Sequence, residues 1–167
     1  MASLIPKFHG DIVTPSDPSY LDAISRWAIN AVRQAKIVTF PKDQDDVALA
    51  IAYAKCNNLC VAIRGGGHNP GGASSAEGGL VIDLSRYFSG VRIDPENKRA
   101  YVGGGALWGT VDKEAIKYGL ATVAGSVNHV GGSYPIVQKL IHFLLMIVCN
   151  RLESEGSILC MSHLINI

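Results

Sequence analysis

The sequence predicts an α+β domain built of two small βα units. Three observations predict it. Short β-branched runs bounded by turn residues alternate with segments of helical period. Each unit carries a run of glycines, at Gly65–Gly67 and Gly103–Gly105. That texture then stops, since of the 18 glycines only Gly156 lies beyond Gly132.

The elements follow in order. Residues 1–34 read as a lead-in segment, with a turn at Asp17-Pro18-Ser19 and patchy helical character from Tyr20 to Arg33. Ile37–Phe40 is β-branched and aromatic and is stopped by Pro41, so it reads as a strand. Asp43 is a candidate N-cap, and Asp46 places a second acid where the helix dipole favours one. Val47, Ala50, Ile51 and Ala54 recur at helical spacing, and Asn57-Asn58 ends the helix. Val61–Ile63 is a short strand that runs into the first glycine loop. Leu80–Ile82 is another, bounded by Gly78-Gly79 and Asp83.

The second unit opens with a hairpin, Val91–Ile93 and Ala100–Val102 around the turn Asp94-Pro95-Glu96-Asn97. Its glycine loop leads into a helix through Leu107, Val111, Ala115 and Tyr118, closed by Gly119 at C′. Ala121–Val123 is a last strand. Beyond Gly132 no glycine loop or alternation follows. Val137 to Leu152 could be a helix, but its apolar residues surround it and make no stripe. The organisation expected is 1–34 lead-in, 35–132 domain (35–88 and 89–132 as subdomains) and 133–167 an aberrant apolar tail with no assigned domain.

Composition bounds the function. With 48% hydrophobic and 17% charged residues and a net charge of +1, the chain is globular in type, without the basic block of a nucleic-acid partner. No secretory signal opens it. The apolar run Leu140–Cys149, interrupted by His142, is well short of the roughly 18–20 residues that span a bilayer, so no membrane partner is expected. Cys56, Cys60, Cys149 and Cys160 lack zinc or redox spacing and read as buried free thiols in a reducing compartment. His9, His129, His142 and His163 make no metal-spaced set, and no metal is expected.

The chemistry concentrates in Arg64-Gly65-Gly66-Gly67-His68-Asn69-Pro70-Gly71-Gly72. Consecutive glycines permit positive φ and close backbone approach, successive N–H groups form an anion nest, and Arg64 adds a guanidinium suited to phosphate. A plain surface loop is the competing reading, as an ordinary hydrogen-bonding loop residue is for His68. A P-loop is excluded because His68 follows Gly67 where a Lys is required. The dinucleotide fingerprint is excluded because Pro70 and Trp108 occupy its third glycine position in the two loops. No G-x-S-x-G elbow anchors a serine hydrolase.

The strings VTFPKDQDDVALAIAYAKCNNLCVAIRGGGHN, GGLVIDLSR, VRIDPENKRAYVGGGALWGTVD and GLATVAGSVNHVGG, in this order and spacing from about residue 10 to Gly132, resemble the PCMH-type FAD-binding domain. This is the vanillyl-alcohol-oxidase and p-cresol-methylhydroxylase class, and the match is closest to its berberine-bridge-enzyme-like FAD-linked oxidoreductases. The resemblance implies FAD as cofactor. Arg64, Gly65, Gly66, Gly67, His68 and Asn69 match the pyrophosphate loop, and His68 matches the residue bonded to the flavin 8α carbon. Gly72, Ala73 and Ser74 match a stretch lining the cofactor, and Gly105 and Ala106 a second loop near it, with simple turn geometry as the competing reading. Val127 stands where bicovalent members carry a cysteine, so attachment through His68 alone is implied.

The family continues past Gly132 with further glycines and a substrate domain, whereas this sequence departs from the pattern there. It reads as a domain with its C-terminal part missing, through a gene-model fault or as a genuine short variant. The function expected is the FAD-binding half of an oxidase acting on an alcohol, sugar or amine carbon, with dioxygen as acceptor. A non-catalytic flavin-binding module and an inactive remnant are the alternatives. A small-molecule substrate is expected only in a full-length form. The catalytic base is not identified, since Tyr101, Tyr118 and Tyr134 qualify only as phenols. Weak flavin retention and no turnover are expected of the 167 residues alone.

Overall fold

The computed structural model describes residues 5–121, 127–131 and, for the backbone alone, 122 and 161–166. Val123, Tyr134 and the expected helix Val137–Leu152 lie outside the described residues. The chain divides into two compact units, residues 1–87 and 88–167.

The first unit is a four-stranded mixed sheet. Its strands are β1 (Asp11–Val13), β2 (Ile37–Phe40), β3 (Val61–Arg64) and β4 (Leu80–Asp83), in the order β1-β2-β4-β3. β2, β4 and β3 are parallel, and β1 adds antiparallel at the β2 edge. Every residue of β2 and β4 is buried, as central parallel strands covered on both faces require. Val38, Phe40, Ala62 and Val81 face a cluster with Val13, Tyr20, Ala23, Ile24 and Ala35. On the other side α2 (Gln44–Cys56) packs against β4.

The start of α2 is built as its sequence suggests. Asp43 is the N-cap, and its carboxylate accepts the Asp46 N–H at 2.8 Å. Asp46 is fully buried and does more than favour the dipole. Its two oxygens accept the backbone N–H of His9 at 2.8 Å and of Lys42 at 2.9 Å. Ligand atoms of His9, Asp43 and Asp46 lie within 4.8 Å of one another. The backbone bonds to both Asp46 oxygens make this a capping network that ties the N-terminal segment to the helix.

Three readings of the first unit differ from the structure. The helical character of Tyr20–Arg33 condenses into a single turn and a half, α1 (Tyr20–Ile24), and a 3-10 turn (Ile29–Ala31). The residues between them are taken up by bonds to the glycine loop. The lead-in also supplies β1, too short at three residues to show alternation. Cys56 and Cys60 are free thiols but exposed, not buried. The buried stripe of α2 runs through Val47, Ala50 and Ala54, and Cys56 falls off it.

In the second unit the hairpin forms as read, with β5 (Val91–Asp94) antiparallel to β6 (Arg99–Val102). The helix α3 (Trp108–Ala115) continues into a 3-10 turn, Ile116–Tyr118. Gly119 ends it in the left-handed region at φ 64°, which a side chain there would resist. β7 (Leu120–Thr122) follows. A strand the sequence does not announce, β8 (Met161–Asn166), pairs antiparallel with both β6 and β7, giving the order β5-β6-β8-β7. Ala100, Val102, Ala106, Trp108, Val111, Ala115 and Leu120 form this unit's core. Each large side chain buried there contributes about 1.5–3 kcal/mol.

Candidate functional site

Adjacent parallel strands deliver the first pair of site residues. Arg64 ends β3, Asp83 ends β4, and the two are register partners. Arg64 Nη1 donates to Asp83 Oδ2 at 2.5 Å. Asp83, with a fully buried side chain, also accepts the Ser85 N–H at 2.9 Å and the Ser85 hydroxyl at 2.6 Å. The loop after β3 thus leaves the carboxyl ends of a parallel sheet, where open α/β sheets bind their ligands.

Of the three consecutive glycines only Gly67 takes positive φ, at 71°. A Cβ at Gly67 would meet Arg64 Nε at 3.0 Å and Arg26 Cδ at 3.4 Å. The positive φ favours glycine there, and a side chain would also crowd Arg64. His68 follows, half-buried, with its imidazole stacked on the Trp27 indole at 5.5 Å between centroids and 30° between planes. Asn69 turns the chain back. Its Oδ1 accepts the N–H of Gly71 at 2.8 Å and of Ala73 at 3.4 Å, and its carbonyl accepts Gly72 N–H at 3.2 Å, an Asx-type turn.

Two arginines bracket this loop. Arg26 donates from Nε at 3.1 Å and Nη2 at 2.7 Å to the Ser74 carbonyl. The Trp27 N–H donates to the Gly67 carbonyl at 3.3 Å. Burial and then the neighbouring charge of Arg64 push the Arg26 guanidinium down to about 10. An anion beside the pair would oppose the second cause, as the Asp83 carboxylate already does in part. Among the described residues, Arg64 Nε and the hydroxyls of Ser74 and Ser75 are buried polar atoms with no hydrogen-bond partner. Unsatisfied donors of this kind cost roughly 1–3 kcal/mol each, a cost that a polar ligand or a water placed here would relieve.

The first unit therefore brings together Arg64, Gly65, Gly66, Gly67, His68, Asn69, Gly72, Ala73 and Ser74. Gly105, Ala106 and Val127 belong to the second unit. The N–H of Gly105 donates to Phe88 O at 2.9 Å and that of Ala106 to Gly103 O at 3.0 Å, and both residues are buried. Val127 opens the segment 127–131, which straps the start of α3. Val130 O accepts Trp108 N–H at 3.1 Å, and Asn128 O accepts Gly109 N–H at 2.8 Å. These bonds engage N–H groups that a helix N-terminus would otherwise offer to an anion. Of the phenols considered, Tyr101 stacks under the Arg92 guanidinium at 4.0 Å and Tyr118 is exposed.

Sequence reading missed Arg26, Trp27, Ser75 and Asp83. Asp83 had a usable signal, as an acid closing an apolar strand. Arg26 and Trp27 had none, because they lie in an aperiodic segment some 48 residues before the carbonyl that Arg26 grips.

The model of the FAD binding domain family matches residues 35–134. Over 126 residues the chain is 37% identical to (R)-6-hydroxynicotine oxidase of Paenarthrobacter nicotinovorans, an alignment covering 75% of this chain and 27% of that protein. The crystal structure of 6-hydroxy-D-nicotine oxidase from Arthrobacter nicotinovorans superposes with a TM-score of 0.74 at 33% identity, covering 79% of this chain and 29% of that one. BBE-like 1 of Physcomitrella patens shares the fold, with a TM-score of 0.69 at 24% identity over 76% of this chain and 28% of that one.

The chain belongs to the FAD binding domain family of FAD-linked oxidoreductases. Its fold is the PCMH-type FAD-binding fold of the berberine-bridge-enzyme-like oxidases, and it spans just over a quarter of the length of the relatives it matches. Among the described residues, no helix is long and apolar enough to cross a membrane. The residues present fit the family's cofactor. The unsatisfied Arg64 Nε and the Ser74 and Ser75 hydroxyls offer polar contacts that a diphosphate could take up.

Proposed function

We propose that this chain supplies the diphosphate-holding and attachment side of an FAD-linked oxidase, with FAD bonded through His68. The observation that carries the reading is the loop itself. His68 closes the glycine loop that begins at Arg64, and Arg64, Ser74 and Ser75 carry three buried polar atoms without a hydrogen-bond partner among the described residues. When bound, FAD supplies the two-electron chemistry, taking a hydride from a substrate carbon and releasing the electrons to dioxygen.

The residues divide the work by their chemistry. Arg64 and the backbone of Gly65, Gly66, Gly67 and Asn69 hold the diphosphate, with Gly72, Ala73 and Ser74 alongside. Gly105, Ala106 and Val127 are assigned to flavin contact on the resemblance alone. A neutral imidazole nitrogen of His68 is the nucleophile toward the 8α carbon. With Val127 in place of a cysteine, one covalent bond is formed. The substrate proposed for a full-length form is a small molecule oxidised at an alcohol, sugar or amine carbon. The oxidase names of its relatives favour dioxygen as acceptor, and the amine option follows the nicotine oxidase.

Covalent trapping tests the reading even where reversible retention is weak. The chain is incubated with a large excess of FAD in air, precipitated with acid and assayed for flavin in the pellet. The parent is expected to accumulate acid-stable flavin and the His68→Ala variant none. Acid-stable flavin in the His68→Ala protein overturns His68 as the attachment residue.

A further inference from the structure

We propose that Trp27 is a positioning residue for flavin attachment, its indole face fixing the orientation from which the His68 imidazole reaches the 8α carbon. The proposal rests on His68 being the attachment residue. It begins from a residue of the lead-in segment to which neither the sequence pattern nor the resemblance assigns a role.

The geometry is that of a support. The two rings stack at 5.5 Å and 30°, within the range in which aromatic pairs attract. The indole is 69% exposed, so it contributes little to any core. Its backbone is nevertheless held. Trp27 N–H bonds to the carbonyl of Gly67, the residue before His68. Its neighbour Arg26 grips the Ser74 carbonyl with two N–H groups. The segment that carries the indole is therefore latched to both ends of the loop that carries the imidazole. The stacked indole restricts the ring's orientation, and a lost orientation is costly to a bond-forming step.

The indole face has a second effect. Attachment joins an imidazole nitrogen to the 8α carbon, with loss of one methyl hydrogen and of the imidazole N–H proton. The electron pair of the broken C–H bond passes through the flavin to dioxygen, which leaves with two protons as hydrogen peroxide. Before its N–H proton departs, the alkylated imidazole carries positive charge. An aromatic face stabilises a cation held over it.

The test compares Trp27→Ala, Trp27→Phe and His68→Ala with the parent chain, using FAD as the probe. In the FAD-free parent, the His68 ring protons are expected upfield by the ring current of the indole. They move downfield in Trp27→Ala and stay largely upfield in Trp27→Phe, with the far-UV circular dichroism unchanged. With excess FAD, acid-stable flavin should accumulate on the order of ten- to a hundred-fold more slowly in Trp27→Ala and near the parent rate in Trp27→Phe. Incorporation by Trp27→Ala at the parent rate overturns the proposal, as does a Trp27→Phe protein as slow as Trp27→Ala. Acid-stable flavin in His68→Ala, or none in the parent, defeats the attachment reading itself and this role with it. The ring-current shift would still report whether the two side chains meet.

Discussion

Arg64 and Asp83 close neighbouring parallel strands with one charge-assisted bond, Nη1 to Oδ2 at 2.5 Å, and the carboxylate that accepts it is wholly buried. The bond links the frame of the first sheet to the loop that follows Arg64. Removing one partner strands the other in a poorly hydrated place. Asp83→Ala is expected to cost about 3–5 kcal/mol, read as a shift of the urea midpoint. A change below about 1 kcal/mol would show that Arg64 finds water or another acceptor. Arg64→Lys keeps a charged donor for this single bond and should lose less of the same stability.

Gly67→Ala places a methyl group against Arg64 Nε and forces an L-residue to hold φ 71°. The left-handed conformation alone costs about 1–2 kcal/mol. The expected result is a destabilisation of at least that size with a displaced His68 ring, visible as loss of its ring-current shift. Gly71→Ala is the control, because its Cβ would meet only Asn69 Oδ1 and its φ is not positive. Equal stability of Gly67→Ala and Gly71→Ala would contradict the structure here.

Arg26→Lys removes the two-pronged grip on the Ser74 carbonyl while keeping the charge. The latch should weaken by about 1 kcal/mol. Hydrogen exchange at the amides of Gly72 and Ser75, which donate to Asn69 and Gly72 carbonyls, should quicken, with amides of β2 and β4 unaffected. Uniform acceleration across the sheet would place Arg26 in the global stability of the unit and not in the loop.

Acid should destabilise the first unit through three surface carboxylates, Asp43, Asp11 and Asp17, the last lowered by its bonds from the Thr14 hydroxyl and N–H. The Asp46 N–H bond, aided by His9, holds Asp43 below the usual carboxylate range. Slight burial would raise Asp11, but bonds from Arg86 and Tyr87 outweigh it and leave it lowered as well. Each folded-state value is depressed, so each contribution is fully present above the unfolded value of about 3.9. It is lost as pH falls through the lower folded value. Melting temperature should hold from pH 7 to 5 and drop below about 4. Asp43→Asn, which keeps a capping oxygen but not the charge, should flatten part of that drop. A drop of the same size in Asp43→Asn and in the parent would remove Asp43 from the account.

Local chemistry was legible in the sequence. The Asp43 cap, the Asp94–Asn97 turn, the Gly119 stop and the glycine loop each act over a few residues, and each stands where the pattern places it. What the sequence concealed is long-range. β1 is too short for alternation and exists because β2 offers it an edge. Trp27 meets His68 only because the chain returns after α2 and β3. The partner of Arg64 is a register neighbour on another strand, and no spacing rule reports register between β3 and β4. The glycine loop also illustrates a limit of composition, since three glycines suggest three permissive turns and only Gly67 uses one.

The strand order has a bearing on how the chain folds as it is made. All four strands of the first sheet lie within residues 11–83, so a nascent chain can close that sheet while the ribosome is still translating the second unit. In the second sheet β8 lies between β6 and β7, so a later strand must enter between two already emerged. Translation is thus expected to yield a protease-resistant first unit early and a second unit that gains resistance only once residues 161–166 have emerged. Ribosome-bound chains arrested before β8 emerges would show it by pulse proteolysis. A second unit already resistant in those chains would mean that β6 and β7 settle without the strand between them.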